Sequence, residues 1–140
     1  MSTETLRIMY VEDNREVAEA VAAHFKGDAR FMWLGYLTTA DELAKRAAAM
    51  TPDVVIVDLD LPGSDAFGAM KELRQQQPGA RALVFSGRVT SSSIDQALEA
   101  GAWGYVYKSD GMDALLAGVI DVSRGDFILS PTARKVYSQA

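Results

Sequence analysis

Pro52-Asp53-Val54-Val55-Ile56-Val57-Asp58-Leu59-Asp60-Leu61-Pro62-Gly63 is the stretch that decides the fold. The run from Val54 to Val57 shows no polar alternation, so both faces of the strand it forms are expected to be buried, as in the centre of a parallel sheet. Asp58 marks the exit from that core, and Pro62-Gly63 stops regular structure just beyond. Open α/β sheets keep their chemistry at the C-terminal ends of central strands, which makes Asp58 a candidate functional carboxylate. Taken alone, the same residue also reads as a loop acid or a helix cap.

Working outward, strand and helix signals alternate on both sides of this stretch. Leu6 to Val11 is a short apolar run that ends in Glu12-Asp13-Asn14. Val17, Val21 and Phe25 then share a helical face, and Gly27 is the stop. Phe31 to Leu37 reads as a second strand. Thr38 or Thr39 is expected to cap a helix through Leu43, Ala47 and Met50. Phe67, Met70 and Leu73 form the next amphipathic face, Ala82 to Phe85 a fourth strand that leads into Ser86-Gly87. Thr90 to Ser93 offer competing caps for a helix through Ile94, Ala97 and Leu98. Trp103 to Tyr107 is the fifth strand, ending at Lys108, and Asp110 is expected to cap a last helix through Met112, Leu115, Leu116, Val119 and Ile120. Five strands alternating with five helices imply βαβ units with right-handed crossovers, and a parallel sheet covered on both faces.

Composition bounds the function classes. The chain has 140 residues, enough for one domain with a full core, and 49% hydrophobic with 24% charged residues argues against disorder. A net charge of −5 argues against direct nucleic-acid binding by this chain. The absence of cysteine excludes disulfides and thiolate metal sites and fits a reducing cytoplasm. An acid, Glu4, stands where a signal peptide carries bases, and no stretch approaches the roughly 20 apolar residues of a membrane helix. A soluble, cytoplasmic protein is the expectation.

Polar groups gather at the strand exits. Glu12 and Asp13 end the first strand, Asp58 the third, Ser86 the fourth and Lys108 the fifth, and in a parallel sheet these ends share one edge. With the strand order 2-1-3-4-5, the first and third strands flank the topological switch point, so Asp13 and Asp58 face each other across the crevice. Three crowded carboxylates repel unless a cation intervenes, and an all-oxygen pocket suits a hard ion such as Mg2+. A carboxylate can act as a nucleophile toward phosphorus, and phosphoryl transfer needs charge neutralisation around the transferred group. Each group alone is equally a solvated loop, turn or surface residue; it is the combination that has chemical logic.

The chain resembles the receiver domain of bacterial two-component response regulators. The resemblance rests on Val11-Glu12-Asp13-Asn14, on Pro52 to Asp58 with Leu61-Pro62-Gly63, on Phe85-Ser86-Gly87, and on Ala100-Gly101-Ala102-Trp103-Gly104-Tyr105-Val106-Tyr107-Lys108. It runs from about Leu6 to about Arg124 in the family's order of motifs. It implies a flavodoxin-like three-layer fold in which Asp58 accepts a phosphoryl group from a sensor histidine kinase. It further implies that Asp13 and Asp58 ligate Mg2+ with the main-chain carbonyl of Asp60, that Glu12 acts through water, and that Ser86 and Lys108 contact phosphoryl oxygens. Ser86 and Tyr105 would form the switch, Asp60 and Arg88 would tune the kinetics, and the fourth helix, fifth strand and fifth helix would form the output or homodimer surface. Residues 1–124 are expected to be the receiver and 125–140 a C-terminal tail or truncated linker without an output domain. The later stretch from Arg124 to Pro131 is most similar to the subfamily with a LuxR-type helix-turn-helix output.

Two departures stand out: Ala66 where the family usually has Gly, and Ser109 where many relatives have Pro. Two other readings remain. One is a stand-alone or pseudo-receiver that only binds partners. The other is an aspartate-nucleophile phosphohydrolase of the haloacid-dehalogenase type, which shares the acid-x-acid pattern of Asp58 and Asp60; Pro62 and the third-strand location speak against it. His24, Trp33 and Trp103 are read as structural, with Trp103 also a candidate for a partner surface.

Overall fold

The computed structural model describes residues 5–139. Its elements are β1 (Leu6–Val11), α1 (Arg15–Lys26), β2 (Phe31–Leu37), α2 (Leu43–Met50), β3 (Val54–Val57), α3 (Ala66–Gln76), β4 (Arg81–Ser86), α4 (Ser91–Glu99), β5 (Gly104–Tyr107), α5 (Met112–Ser123), β6 (Ile128–Leu129) and α6 (Pro131–Ser138), with one 3-10 turn, Lys108–Asp110. All pairings are parallel and the sheet order is β2-β1-β3-β4-β5-β6. The flavodoxin-like order 2-1-3-4-5 therefore holds, with a short sixth strand added beside β5.

The alternation of side chains along each strand builds two cores. Met9, Val11, Val55, Val57 and Val84 face α2, α3 and α4, whereas Ile8, Tyr10, Val54, Ile56, Leu83 and Val106 face α1 and α5. All four β3 residues are 0% exposed, which is why that run carries no polar alternation. Burying each is worth about 1.5–3 kcal/mol relative to exposure. On β2 the register shifts opposite Ile8 and Met9, and Gly35 takes φ +117° there, a left-handed region in which only glycine is unstrained.

Two local expectations are corrected and a third is narrowed to one residue. Thr38 and Thr39 do not cap α2: the Thr39 hydroxyl accepts from the Asp41 N–H at 2.8 Å, closing a turn, and the helix starts after Glu42. Asp110 does not cap α5, whose N-cap position is Gly111; its carboxylate instead accepts from the Thr132 N–H (2.9 Å) and hydroxyl (2.6 Å). Among the Thr90–Ser93 candidates, Thr90 caps α4, accepting from the Ser93 N–H at 3.0 Å while Ser93 Oγ accepts from the Thr90 N–H at 3.0 Å.

Within the stretch read as a tail or truncated linker, the described residues 125–139 carry regular structure. β6 extends the sheet through Ile128 opposite Gly104 and Leu129 opposite Tyr105. A Cβ at Gly104 would stand 2.7 Å from the Ile128 carbonyl oxygen, so glycine there lets β6 approach. Ser130 accepts from the Tyr107 N–H at 3.0 Å, Ala133 is 0% exposed within the core, and the Tyr137 hydroxyl donates to Asp95 on α4 at 2.6 Å. α6 thus lies against α4 and β5, on part of the surface expected for output. Among the described residues no helix is long and apolar enough to cross a membrane.

Candidate functional site

The C-terminal ends of β1, β3, β4 and β5 bring together what the sequence placed at strand exits. Glu12, Asp13 and Asp58 offer carboxylate oxygens within 4.8 Å of one another. Glu12 is 1% and Asp58 3% exposed, whereas Asp13 is open to solvent. The Lys108 ammonium, carried in by β5, donates to Glu12 Oε1 at 2.7 Å and to Asp58 Oδ2 at 3.3 Å. The Asp60 N–H donates to Asp58 Oδ1 at 3.1 Å.

Glu12 is the more fully compensated acid. Besides Lys108, it accepts from the Tyr10 hydroxyl at 3.0 Å on Oε1 and from the Asn14 N–H at 3.2 Å on Oε2. Burial pushes its pKa up, but the hydrogen bonds from Lys108 and Asn14 outweigh burial and hold it below the usual carboxylate range. Asp58 goes the other way. Burial pushes it up to about 6, with the Asp60 N–H and Lys108 pulling down and Glu12 pushing further up. Burial alone would lower Lys108, but the Glu12 hydrogen bond and the two carboxylate charges raise it, so the ammonium persists. The less neutralised carboxylate is thus the one on β3, which suits a nucleophile better than a fully bonded acid.

Ser86 is buried and its Oγ accepts from the Arg88 N–H at 3.1 Å, which leaves the hydroxyl proton free to donate. Ser86 makes no hydrogen bond to Asp58 among the described residues. Tyr105 is 0% exposed and points inward; its hydroxyl shares a 3.0 Å bond with Ser93 Oγ and donates to the Arg88 carbonyl. Burial raises its pKa against the pull of the Ser93 and Ser86 hydroxyls. The Arg88 side chain pairs with Asp60 at 3.6 Å on the rim, where both are largely exposed. Ala66 begins α3 under an Asp65 cap that accepts from the Gly68 N–H at 3.0 Å, and Ser109 lies in the 3-10 turn, with no cis peptide among the described residues. His24 lies exposed in α1, away from the site. Trp33 stacks on Phe25 at 5.4 Å, and Trp103 lies between Arg81 (4.5 Å) and Phe127 (5.6 Å).

Tyr10 is the site residue that sequence reasoning missed. The available signal was its place two residues before Glu12 on a strand, hence on the same face.

An acidic pocket with an ammonium and a buried hydroxyl, on the C-terminal edge of a 2-1-3-4-5 parallel sheet, defines a flavodoxin-like domain whose working end is built around a strand-end carboxylate. The chain belongs to the response regulator receiver domain family, whose family model matches residues 8–120. It is similar to a nitrate/nitrite response regulator protein homolog of Haemophilus influenzae (25% identity over 131 residues, 94% of this chain and 63% of that protein). It is also similar to the transcriptional regulatory protein LnrK of Bacillus subtilis (25% over 126 residues, 90% and 57%). The chain thus spans about three fifths of the length of these curated relatives. Among solved structures, a two-component response regulator of the LuxR family from Aurantimonas sp. SI85-9A1 superposes with a TM-score of 0.91 at 30% identity, covering 97% of both chains. The signal receiver domain of the putative response regulator NarL from Mycobacterium tuberculosis superposes at 0.81 with 23% identity, covering 87% of this chain and 98% of that one.

Proposed function

We propose that Asp58 is the phosphoacceptor and that a histidine kinase is the donor. The observation that carries this reading is the Asp58 carboxylate itself, buried at the end of β3 and left incompletely neutralised beside Lys108. In the reaction an Asp58 oxygen forms a bond to phosphorus as the P–N bond of the donor phosphohistidine breaks. The product is an acyl phosphate, and the imidazole leaves with its nitrogen lone pair.

Lys108 is placed to shift from Glu12 and Asp58 onto a phosphoryl oxygen. Ser86 has its hydroxyl proton available for another. The oxygen-only donor set of Glu12, Asp13 and Asp58 fits a hard divalent cation. Asp13, Asp58 and the Asp60 carbonyl would hold Mg2+, with Glu12 acting through water. When bound, Mg2+ supplies neutralisation of phosphoryl charge.

Movement of Ser86 toward the phosphoryl group would pull on Arg88, whose carbonyl accepts from Tyr105, and Tyr105 in turn is bonded to Ser93 in the α4 cap. That chain of contacts links the pocket to α4 and β5, the surface we assign to output or homodimerisation. Since α6 lies on α4 and β5, a partner there must share the surface with α6 or displace it. Asp60 and Arg88 at the rim would tune the kinetics.

The test is incubation with a small acyl-phosphate donor and Mg2+, followed by intact-mass measurement of the wild type and Asp58→Asn. One phosphoryl group on the wild type and none on the variant is expected. A folded wild type that acquires none, or one that releases many phosphate equivalents from a phosphomonoester, overturns the proposal.

A further inference from the structure

We propose that Tyr10 is a positioning residue whose buried hydroxyl occupies Glu12, so that the divalent cation is left to Asp13 and Asp58 and Glu12 serves it only through water. The inference rests on the reading of the pocket above as a cation-dependent phosphoacceptor site.

Tyr10 lies on β1 two residues before Glu12, so the two side chains share one side of the chain, and Tyr10 packs toward α1 and α5. The ring is 0% exposed, held edge-on to Trp33 at 6.3 Å and tilted against Phe85 at 6.5 Å. Held there, the hydroxyl reaches up the strand to Glu12 Oε1 at 3.0 Å, and Glu12 is its one partner among the described residues. Lys108 donates to the same oxygen at 2.7 Å, and the Asn14 N–H donates to Oε2 at 3.2 Å. An ionised carboxylate has about four acceptor positions, and three are taken by the protein. One remains, enough for a metal-bound water but too little for Glu12 to ligate as a free acid would.

The hydroxyl also acts electrostatically. A donated proton at hydrogen-bond distance from an anionic oxygen lowers the negative potential of the pocket, and in a buried setting that effect is poorly screened. Tyr10 therefore makes the pocket less attractive to cations than its three acids would be alone. This is a specific role, distinct from filling the core, because phenylalanine would fill the core equally well.

Mg2+ affinity is measured by calorimetry on unphosphorylated protein, well above the carboxylate range of pH, for the wild type, Tyr10→Phe, Glu12→Gln and the double variant. Tyr10→Phe removes one atom and keeps the ring contacts, and thermal unfolding verifies that the fold is retained. The expected result is tighter Mg2+ binding by Tyr10→Phe, about three- to tenfold, the scale of one ordinary net hydrogen bond. In the Glu12→Gln background the same substitution is expected to change affinity less than about twofold, since the charge it acts through is gone. Unchanged or weaker binding by Tyr10→Phe overturns the proposal. An equal gain in both backgrounds does so too, because it would mark a general packing effect, as does a wild type that binds no Mg2+. A wild type that binds Mg2+ but is never phosphorylated on Asp58 counts against the phosphoacceptor reading instead, and leaves Tyr10 to be decided by the affinities.

Discussion

Asp58→Asn is expected to stabilise the metal-free protein, by an amount that depends on pH. Burial is the main cause that lifts the Asp58 carboxyl from 3.8 to about 6. A group whose pKa is raised on folding gives its full stability below the unfolded value, and that contribution is lost as pH climbs through the folded value. For Asp58 the window therefore runs from about 3.8 to about 6. At ~1.36 kcal/mol per pH unit the full difference is about 3 kcal/mol. Water at the pocket mouth, where Asp13 is exposed, screens this to about 1–2 kcal/mol.

Asparagine cannot ionise, so the variant escapes that loss. Urea unfolding followed by Trp33 and Trp103 fluorescence, with a chelator present, is expected to show Asp58→Asn more stable than wild type by about 1–2 kcal/mol near pH 7.5. The gap should close toward about pH 4, and comparing the two proteins cancels the titrating groups remote from the pocket. Saturating Mg2+ should narrow or reverse it, because a ligand at about 100 times its Kd adds about 2.7 kcal/mol to whichever protein binds it better. A variant no more stable than wild type at high pH, or a gap indifferent to pH, would refute the view of Asp58 as a buried, under-compensated acid.

Two further outcomes are expected. Gly104→Ala forces a Cβ to within 2.7 Å of the Ile128 carbonyl and 2.9 Å of Leu83, so it should cost about 1–3 kcal/mol and raise amide exchange from Ile128 through Ser138. Unchanged exchange there would show that β6 does not need the glycine. Asp60→Asn removes an exposed negative charge from the rim and frees Arg88, so phosphorylation by an anionic donor should speed up about two- to fivefold at low salt and less at high salt. Equal phosphorylation and hydrolysis rates in the two proteins would count against a kinetic role for Asp60.

The β3 run, the apolar faces of the helices and the acids, hydroxyl and amine at strand exits were all legible, because each is a local pattern with a fixed period or a fixed stop. Val54 to Val57 states its own burial, and the order of the strand ends follows from parallel-sheet topology. The same locality misled at Thr39 and Asp110. Both have the chemistry of a helix cap, yet one closes a turn to Asp41 and the other holds Thr132, 22 residues away. Composition could not reveal that Ile128 and Leu129 would pair with β5, since a two-residue strand carries almost no periodic signal.

The sequence by itself determined the parallel α/β architecture and the set of groups at its C-terminal edge. Only the tertiary structure decided how those groups share one another. Lys108 lies closer to Glu12 than to Asp58, and Tyr10 takes part of Glu12, leaving the Asp58 carboxylate the less satisfied of the two buried acids. Residue type states what a side chain can donate or accept. Which partner it takes among several within reach is settled by distances between strands far apart in sequence, and packing alone sets those distances.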